Sequence, residues 1–449
     1  MKKNEKMRAT QQSGVFFNIK KTLKRHVLSI LVQAVTIIVV AKFYGPEGNG
    51  IYALVLLLPL TLAGFLSLGF ESSNVYFLSR KQFNINTAFY SNVLFGFIVS
   101  VSGLGLGSMA LAGNTELFFP KINSSLLWVS LISFPAILMQ KLLASILQGL
   151  QKFDQFNIAL LAYPCCLFLF IIVIVLFKLD NIAYLIAASS FSAYMSLAVT
   201  FFLVRAKLIS EKPVNVRKYI LRAINYGYKV HASNILSHIN YKADLFLLNI
   251  LMNPLSAGVY VVAVQISERL WLVSQAISTV LFPKLSSMSG DEFGRKEVTA
   301  VLFRIVFYIT MIGSVVLSIS SWVIVELLFG VEYIGAVIPL LVLQPGVVAL
   351  AVSRLIANDT AARGRPELNA YSSVIVVVVN VIANILLIPV FGLTGAALAT
   401  SLAYVANLIF RLAVYKMLTN CELRVFWVPQ MQDLIHLRYL FGPQPRSSS

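Results

Sequence analysis

The sequence predicts an all-α integral membrane protein of about twelve transmembrane helices, and three observations predict it. Only 12% of the 449 residues are charged and 58% are hydrophobic, for a mean hydropathy of +0.81. A soluble domain carries about 25% charged residues, so this composition describes a chain whose solvent is lipid. The apolar residues fall in runs of about twenty, enough to cross a hydrocarbon core about 30 Å thick. The basic residues gather in every second connection between runs, the pattern that orients helices in a membrane.

In chain order the first six runs lie at 26–43, 51–70, 88–111, 126–147, 158–177 and 182–204. A second set follows at 222–250, 256–282, 301–328, 334–357, 371–390 and 394–417. The seventh and eighth runs are the most polar, the two that hydropathy alone would pass over. Ahead of the first run, Val15–Ile30 carries Phe16, Ile19 and Leu23 on one side and Lys20, Lys21 and Lys24 on the other. The basic segment 1–25 is therefore expected to begin as an interfacial amphipathic helix. No cleavable signal sequence is expected, because a long basic lead precedes the first run and no small-residue cleavage site follows it.

The lead segment (Lys2, Lys3, Lys6, Arg8, Lys20, Lys21, Lys24, Arg25) and alternate connections are basic: Arg80 and Lys81, Lys152, the stretch from Arg205 to Lys218, Lys284 with Arg295 and Lys296, and Arg363 with Arg365. The intervening connections offer only Lys42, Lys121 and Lys178. Positive-inside bias then places both termini and the basic connections in the cytoplasm. The formal charge of +18 is accounted for by this placement, and no nucleic-acid partner is expected. Cys165, Cys166 and Cys421 make no disulfide framework.

The charged stretch Arg205–Lys218, with Pro213 inside it, reads as a linker between two six-helix halves. The expected divisions are a basic N-terminal segment (1–25), an N-terminal lobe (26–204), a cytoplasmic linker (205–221), a C-terminal lobe (222–417) and a cytoplasmic tail (418–449). The halves echo each other. Pro46-x-x-x-Gly50-Ile51-Tyr52 follows the first run, and Pro254-x-x-x-Gly258-Val259-Tyr260 follows the seventh. Ala183-x-x-x-Ala187 and Gly395-x-x-x-Ala399 match at nearly the same offset. Paired repeats around a central pathway are a common architecture for alternating access.

Several segments carry a family resemblance. They are Ala41–Leu54 (AKFYGPEGNGIYAL), Leu68-Gly69-Phe70, Tyr241–Leu248 (YKADLFLL), Ala257–Tyr260 (AGVY), Leu387-Ile388-Pro389 and Gly392–Thr400 (GLTGAALAT). Together they resemble the polysaccharide flippases of the multidrug/oligosaccharidyl-lipid/polysaccharide exporter superfamily, over about residues 15–420. The resemblance implies a V-shaped pair of six-helix lobes around a central cavity. It implies transport of an undecaprenyl-pyrophosphate-linked oligosaccharide across the bacterial inner membrane, for O-antigen, capsule or exopolysaccharide assembly. A polysaccharide polymerase and a chain-length regulator are the protein partners it suggests, beside the lipid-linked oligosaccharide and membrane lipids. The tail after Asn420 has no twenty-residue apolar run, so a fourteen-helix form is not expected. Leu28–Val40 lacks the arginines of the peptidoglycan-precursor flippases, which argues against that role.

Charge in mid-bilayer costs roughly 2.5–3.5 kcal/mol on insertion scales, so such residues face a cavity or a partner. At about 100° per residue, His231, His238, Lys242 and Asn249 fall within roughly 20° of one line along the seventh run, flanked by Gly227 and Asn234. That polar stripe is the expected pathway lining, with packing against polar neighbours as the alternative. Lys141, in the fourth run, and Arg269, in the eighth, join it as candidate cargo ligands. Asp244 points away from the stripe, and Glu268 adjoins Arg269; both are candidates for coupling transport to H⁺ or Na⁺, or for ion pairs with Lys242 and Arg269. Arg354, Asn407 and Arg411 read as cytoplasmic-side residues, and Asn380 with Asn384 as inter-helix hydrogen-bond glue. No metal or organic cofactor is expected.

Lys141, Lys242, Arg269 and the two histidines outnumber Asp244 and Glu268, which suits a pyrophosphate cargo. A multidrug–cation antiporter of the same superfamily is the nearest rival, and it requires free carboxylates in the cavity. A membrane-embedded polymerase or ligase needs a large external loop with catalytic groups; Ala112–Ser125 offers only Glu116 and Lys121. No nucleophile–base pair, metal spacing, Walker loop or dinucleotide fingerprint occurs, so the chain is not expected to be an enzyme.

Overall fold

The computed structural model describes residues 2–428 apart from 273, 276, 279–280, 282–284, 286–287, 289–291 and 366; for 2–27, 114, 229–230, 233 and 241 it describes the backbone alone. The basic residue Lys284, the tail from 429 onward and the side chains that give the N-terminal segment its two faces lie outside the described residues. Every regular element among those described is a helix.

In order these are α1 (Lys2–Leu66), α2 (Phe70–Ser79), α3 (Ile85–Phe118), α4 (Ser124–Leu131), α5 (Phe134–Gly149), α6 (Phe153–Leu176) and α7 (Ile182–Arg205). Then come α8 (Val216–Leu251), α9 (Pro254–Glu268), α10 (Glu292–Phe329), α11 (Val337–Ala362), α12 (Glu367–Phe391) and α13 (Leu393–Thr419). Short 3₁₀ turns occupy Val331–Ala336 and Leu423–Phe426.

Nine helical stretches among the described residues are long and apolar enough to cross a membrane. The first of them, Leu28–Leu66, is 39 residues long. At 1.5 Å per residue it measures about 58 Å, nearly twice the hydrocarbon core, so it holds both the first and second expected spans. They meet at Gly45, whose φ of 68° and ψ of −176° break the helix ahead of Pro46. Glycine alone takes that left-handed backbone without strain. Ten of the twelve expected spans thus lie in the nine stretches. The other two are α8 and the segment begun by α9, which continues in helical conformation at 271–272, 274–275 and 277–278. They are the two most polar runs, as the sequence predicts.

Local chemistry sets the other boundaries. Asn84, Asn123 and Asn181 open α3, α4 and α7, their side-chain oxygens accepting from the N–H groups of Thr87 (2.8 Å), Ser125 (2.9 Å) and Ala183 (2.9 Å). Such caps satisfy donors that a helix start leaves without partners. The fourth run is two helices, α4 and α5, because Pro135 cannot continue a helix but fits its first turn. The second run ends four residues early at Leu66; Leu68 and Gly69 turn left-handed, and α2 begins at Phe70. Lipid-facing surface is evident on α6, where Leu169 and Leu176 are 62% and 73% exposed.

The chain packs as two compact units. Unit 1 takes residues up to His238 together with Asn253–Gly258, and unit 2 takes Ile239–Met252 and the chain from Val259. Within unit 1 the two Pro-x-x-x-Gly repeats meet face to face. A Cβ on Gly50 would fall 1.8 Å from the Pro254 carbonyl oxygen, and one on Gly258 would fall 1.9 Å from that of Pro46. Asn49 Nδ2 donates to the Gly258 carbonyl at 3.1 Å. Unit 1 also buries a closed amide ring: Asn74 and Asn92 donate to each other's side-chain oxygens (2.7 and 3.0 Å), and Tyr219 Oη donates to Asn74 at 2.7 Å.

In unit 2 the basic end of α10 is locked to α11. Asp359, fully buried, accepts from Arg295 Nε at 3.0 Å, Thr299 Oγ1 at 3.2 Å and Arg363 Nε at 3.1 Å. Arg363 bridges on to Glu292 at 2.6 Å. The segment after α13 is strapped to α10: Phe426 is buried, its ring 4.8 Å from Phe303, and Tyr308 Oη donates to the Trp427 carbonyl at 2.9 Å.

Candidate functional site

Two side-chain clusters in unit 2 contain four of the eight expected functional residues, Asp244, Glu268, Lys242 and Arg269. The first surrounds Asp244, on α8 and 6% exposed. Tyr260 Oη, from α9, donates to its Oδ2 at 3.0 Å, and Asn384 Nδ2, from α12, donates to its Oδ1 at 2.8 Å. Thr400 Oγ1, from α13, makes a short hydrogen bond to Oδ2 and lies 3.3 Å from Tyr260 Oη. Asn380, one turn before Asn384, approaches Thr400 Oγ1 at 3.5 Å. The side-chain oxygens of Asn380 and Asn384 are buried and lack a hydrogen-bond partner among the described residues.

The sequence left Asp244 to choose between a salt bridge and a titrating role. The groups that hold it are all neutral. The Asn380–Asn384 pair, expected as inter-helix glue, supplies that glue through a carboxylate. Each of the three groups bonded to the Asp244 carboxylate donates to it, two hydroxyls and one amide. No group of three His, Cys, Asp or Glu that could hold a metal ion occurs among the described residues.

The second cluster surrounds Glu268, the last residue of α9. Here the chain tightens: Arg269, Leu270 and Leu272 donate to the carbonyls three residues back, at 3.2–3.3 Å. Such a tight stretch within a span re-aims side chains that a regular helix would send apart. Glu268 lies within electrostatic range of Lys242, Arg269 and Arg354, and of the Asp244 carboxylate. Arg354, expected as a residue of the cytoplasmic side, places its guanidinium 4.7 Å over the Trp271 ring, which meets Tyr404 edge-on at 5.9 Å. Three cations stand against the two carboxylates Glu268 and Asp244, which leaves an excess of one positive charge. Lys242 and Asp244, two positions apart on α8, point about 200° apart and so serve different clusters.

The remaining candidates fall elsewhere. His231 donates from Nε2 to the Phe65 carbonyl at 2.8 Å, and its Nδ1 is buried without a partner among the described residues. His238 Nε2 lies 3.2 Å from Thr61 Oγ1, with its ring edge-on to Phe65. Both imidazoles are committed to the second leg of α1 within unit 1, beside a backbone contact in which a Cβ on Gly69 would lie 2.3 Å from the Gly227 carbonyl. Lys141 lies in electrostatic range of Glu71, in the first turn of α2, and Glu71 of His231. Glu71 was missed from the sequence; its signal was a lone carboxylate directly after Leu68-Gly69-Phe70, at the end of an apolar run. Asn249 is 1% exposed, and neither amide atom has a partner among the described residues.

A bundle of lipid-exposed helices, with charged groups gathered in its interior rather than at an external loop, is a multi-pass membrane protein of the transporter type. Solved structures agree on the fold. The chain is similar to the lipid II flippase MurJ in an inward closed conformation, with a TM-score of 0.76, 18% identity and coverage of 94% of this chain and 93% of that one. It is similar to the Vibrio cholerae MATE transporter VcmN in its bent form, at a TM-score of 0.62, 12% identity and coverage of 93% and 100%.

The chain belongs to the polysaccharide biosynthesis protein family, which matches residues 20–289. It is 22% identical to the putative O-antigen transporter of Shigella flexneri over 379 residues, 82% of this chain and 89% of that protein. It is 27% identical to the probable low-salt glycan biosynthesis flippase Agl15 of Haloferax volcanii over 191 residues, 41% of this chain and 39% of the archaeal one. The family read from the scattered sequence segments is the family matched.

Proposed function

We propose that this protein is a flippase that carries an undecaprenyl-pyrophosphate-linked oligosaccharide across the bacterial inner membrane by alternating access, with both termini in the cytoplasm. Uptake of H⁺ or Na⁺ at Asp244 drives the cycle, and the product feeds O-antigen, capsule or exopolysaccharide assembly. Membership of the polysaccharide biosynthesis family and the MurJ-like fold support the reading. So does a relative named as an O-antigen transporter.

The observation that carries it is the cluster of Lys242, Arg269 and Arg354 about Glu268. A cationic drug would meet net positive charge there, whereas a pyrophosphate finds donors suited to it. Asp244 is set apart from those cations by its neutral hydrogen-bond partners. Its oxygens, with the open acceptors of Asn380 and Asn384, suit a proton or a small hard cation.

Lys242 tests the cargo assignment. In a host that depends on this chain for surface polysaccharide, Lys242→Ala should abolish the polysaccharide at unchanged protein abundance. Lys242→Arg should retain part of it. Normal polysaccharide from the Ala variant would remove Lys242 from the site.

A further inference from the structure

The segment between α7 and α8 joins two spans, yet it is stitched down along its length within unit 1. Asn86 Nδ2 donates to the Ile209 carbonyl at 2.7 Å and makes a short bond to that of Glu211, while Ile209 N–H returns a bond to Asn86 Oδ1 at 3.1 Å. Thr87 Oγ1 both donates to the Val214 carbonyl (3.1 Å) and accepts from the Val214 N–H (2.9 Å). Asn84 Nδ2 holds the Glu211 carboxylate at 3.1 Å. The segment leaves one span at Arg205, is pinned at its middle to the start of α3 and enters α8 at Val216. It therefore lies flat at the level of the helix ends, where lipid headgroups are.

What it presents there is chemically mixed. Arg205, Lys212, Arg217, Lys218 and Arg222 are exposed and Lys207 half-buried, against the single acid Glu211. Between these cations the apolar Ile209 and Val214 stand 46% and 57% exposed. An acidic protein or a nucleic acid would use the charges and gain nothing from a bare isoleucine and valine at a membrane surface. A bilayer uses both, cations on phosphates and apolar groups at the acyl boundary.

We propose that this pinned strap is a docking surface for anionic phospholipid, with Lys207, Lys212, Arg217 and Lys218 on headgroup phosphates and Ile209 and Val214 below them. Because Asn84, Asn86 and Thr87 order the strap beforehand, lipid binding does not have to fix its backbone. Each basic side chain near an anionic surface strengthens attachment by about fivefold, an effect that salt screens.

The test uses the purified full chain in nanodiscs of phosphatidylcholine, with or without phosphatidylglycerol. It reads Tm and the phosphatidylglycerol retained per chain by native mass spectrometry. The wild type should melt higher with phosphatidylglycerol and retain it preferentially. The combined variant Lys207→Gln, Lys212→Gln, Arg217→Gln and Lys218→Gln should lose that increment and bind phosphatidylglycerol at least fivefold more weakly. Its Tm in phosphatidylcholine should be unchanged, since the stitching bonds come from other residues. The charge-conserving variant Lys207→Arg, Lys212→Arg, Arg217→Lys and Lys218→Arg should behave as wild type. A wild type indifferent to phosphatidylglycerol, or a glutamine variant that keeps the preference, overturns the proposal.

Discussion

At Asp244 the side chain is an acceptor among donors: two hydroxyls and an amide converge on its oxygens. Hydroxyl protons rotate, so Tyr260 and Thr400 can turn to accept from an amide in its place, while Asn384 keeps its bond. Asp244→Asn should therefore fold, at a cost of about 1 kcal/mol. Asp244→Leu offers no acceptor to three buried donors, each worth roughly 1–3 kcal/mol when stranded, and should collapse protein abundance. Equal abundance of the two variants in membranes would contradict this picture of the pocket. The sequence made Asp244 visible because a carboxylate inside a hydrophobic run is expensive. Its partners were not legible, because Tyr260, Asn384 and Thr400 come from three other helices and each residue type is common in spans. Helical spacing put His231 and His238 on one line with Lys242, but periodicity tells which residues share a face and not what covers it. Phe65 and Thr61 of α1 meet the two histidines, whereas Lys242 lies with Glu268.

Helix α1 and the start of α9 meet through glycine, and the contact is between backbones rather than side chains. A methyl group at Gly50 or Gly258 would need the space of a carbonyl oxygen on the opposite turn. Gly50→Ala and Gly258→Ala should each destabilise the fold by roughly 1–3 kcal/mol, read as a lower Tm in detergent. Once one methyl has pushed the turns apart the second has less to displace, so the double variant should cost less than the sum. Gly105→Ala, where a Cβ meets nothing within 4 Å, is the control and should be silent. Additive losses would mean that the two turns do not share one contact. The repeated Pro-x-x-x-Gly was legible in the sequence as a repeat, and the pattern gave no hint that its two copies touch. Breaks within spans were legible only in part. Pro135 marked the division of α4 from α5, whereas the end of α1 at Leu66 depends on the left-handed Leu68–Gly69 turn, which apolar composition hides.

The whole molecule is described by a polar logic that composition carries well: apolar runs, basic connections and two spans too polar for hydropathy to find. The topology we propose has cytoplasmic ends, and on it reporter fusions after Ser210 and Ser289 should read cytoplasmic while fusions near Asn114 and Asn253 read periplasmic. A periplasmic signal from Ser210 would overturn it. An ion-driven cycle requires a group whose affinity for the ion differs between the two states. Asp244 is assigned that part here and Glu268 is assigned to the cargo cluster. The measurement that bears most directly on this is flipping of a lipid-linked oligosaccharide in reconstituted vesicles, with and without an imposed H⁺ or Na⁺ gradient. The wild type should flip faster with one of the two gradients and lose that acceleration when the gradient is collapsed, while Asp244→Asn should bind cargo yet flip at a rate indifferent to either. Absence of flipping by the wild type, or full gradient dependence in Asp244→Asn, would contradict the account.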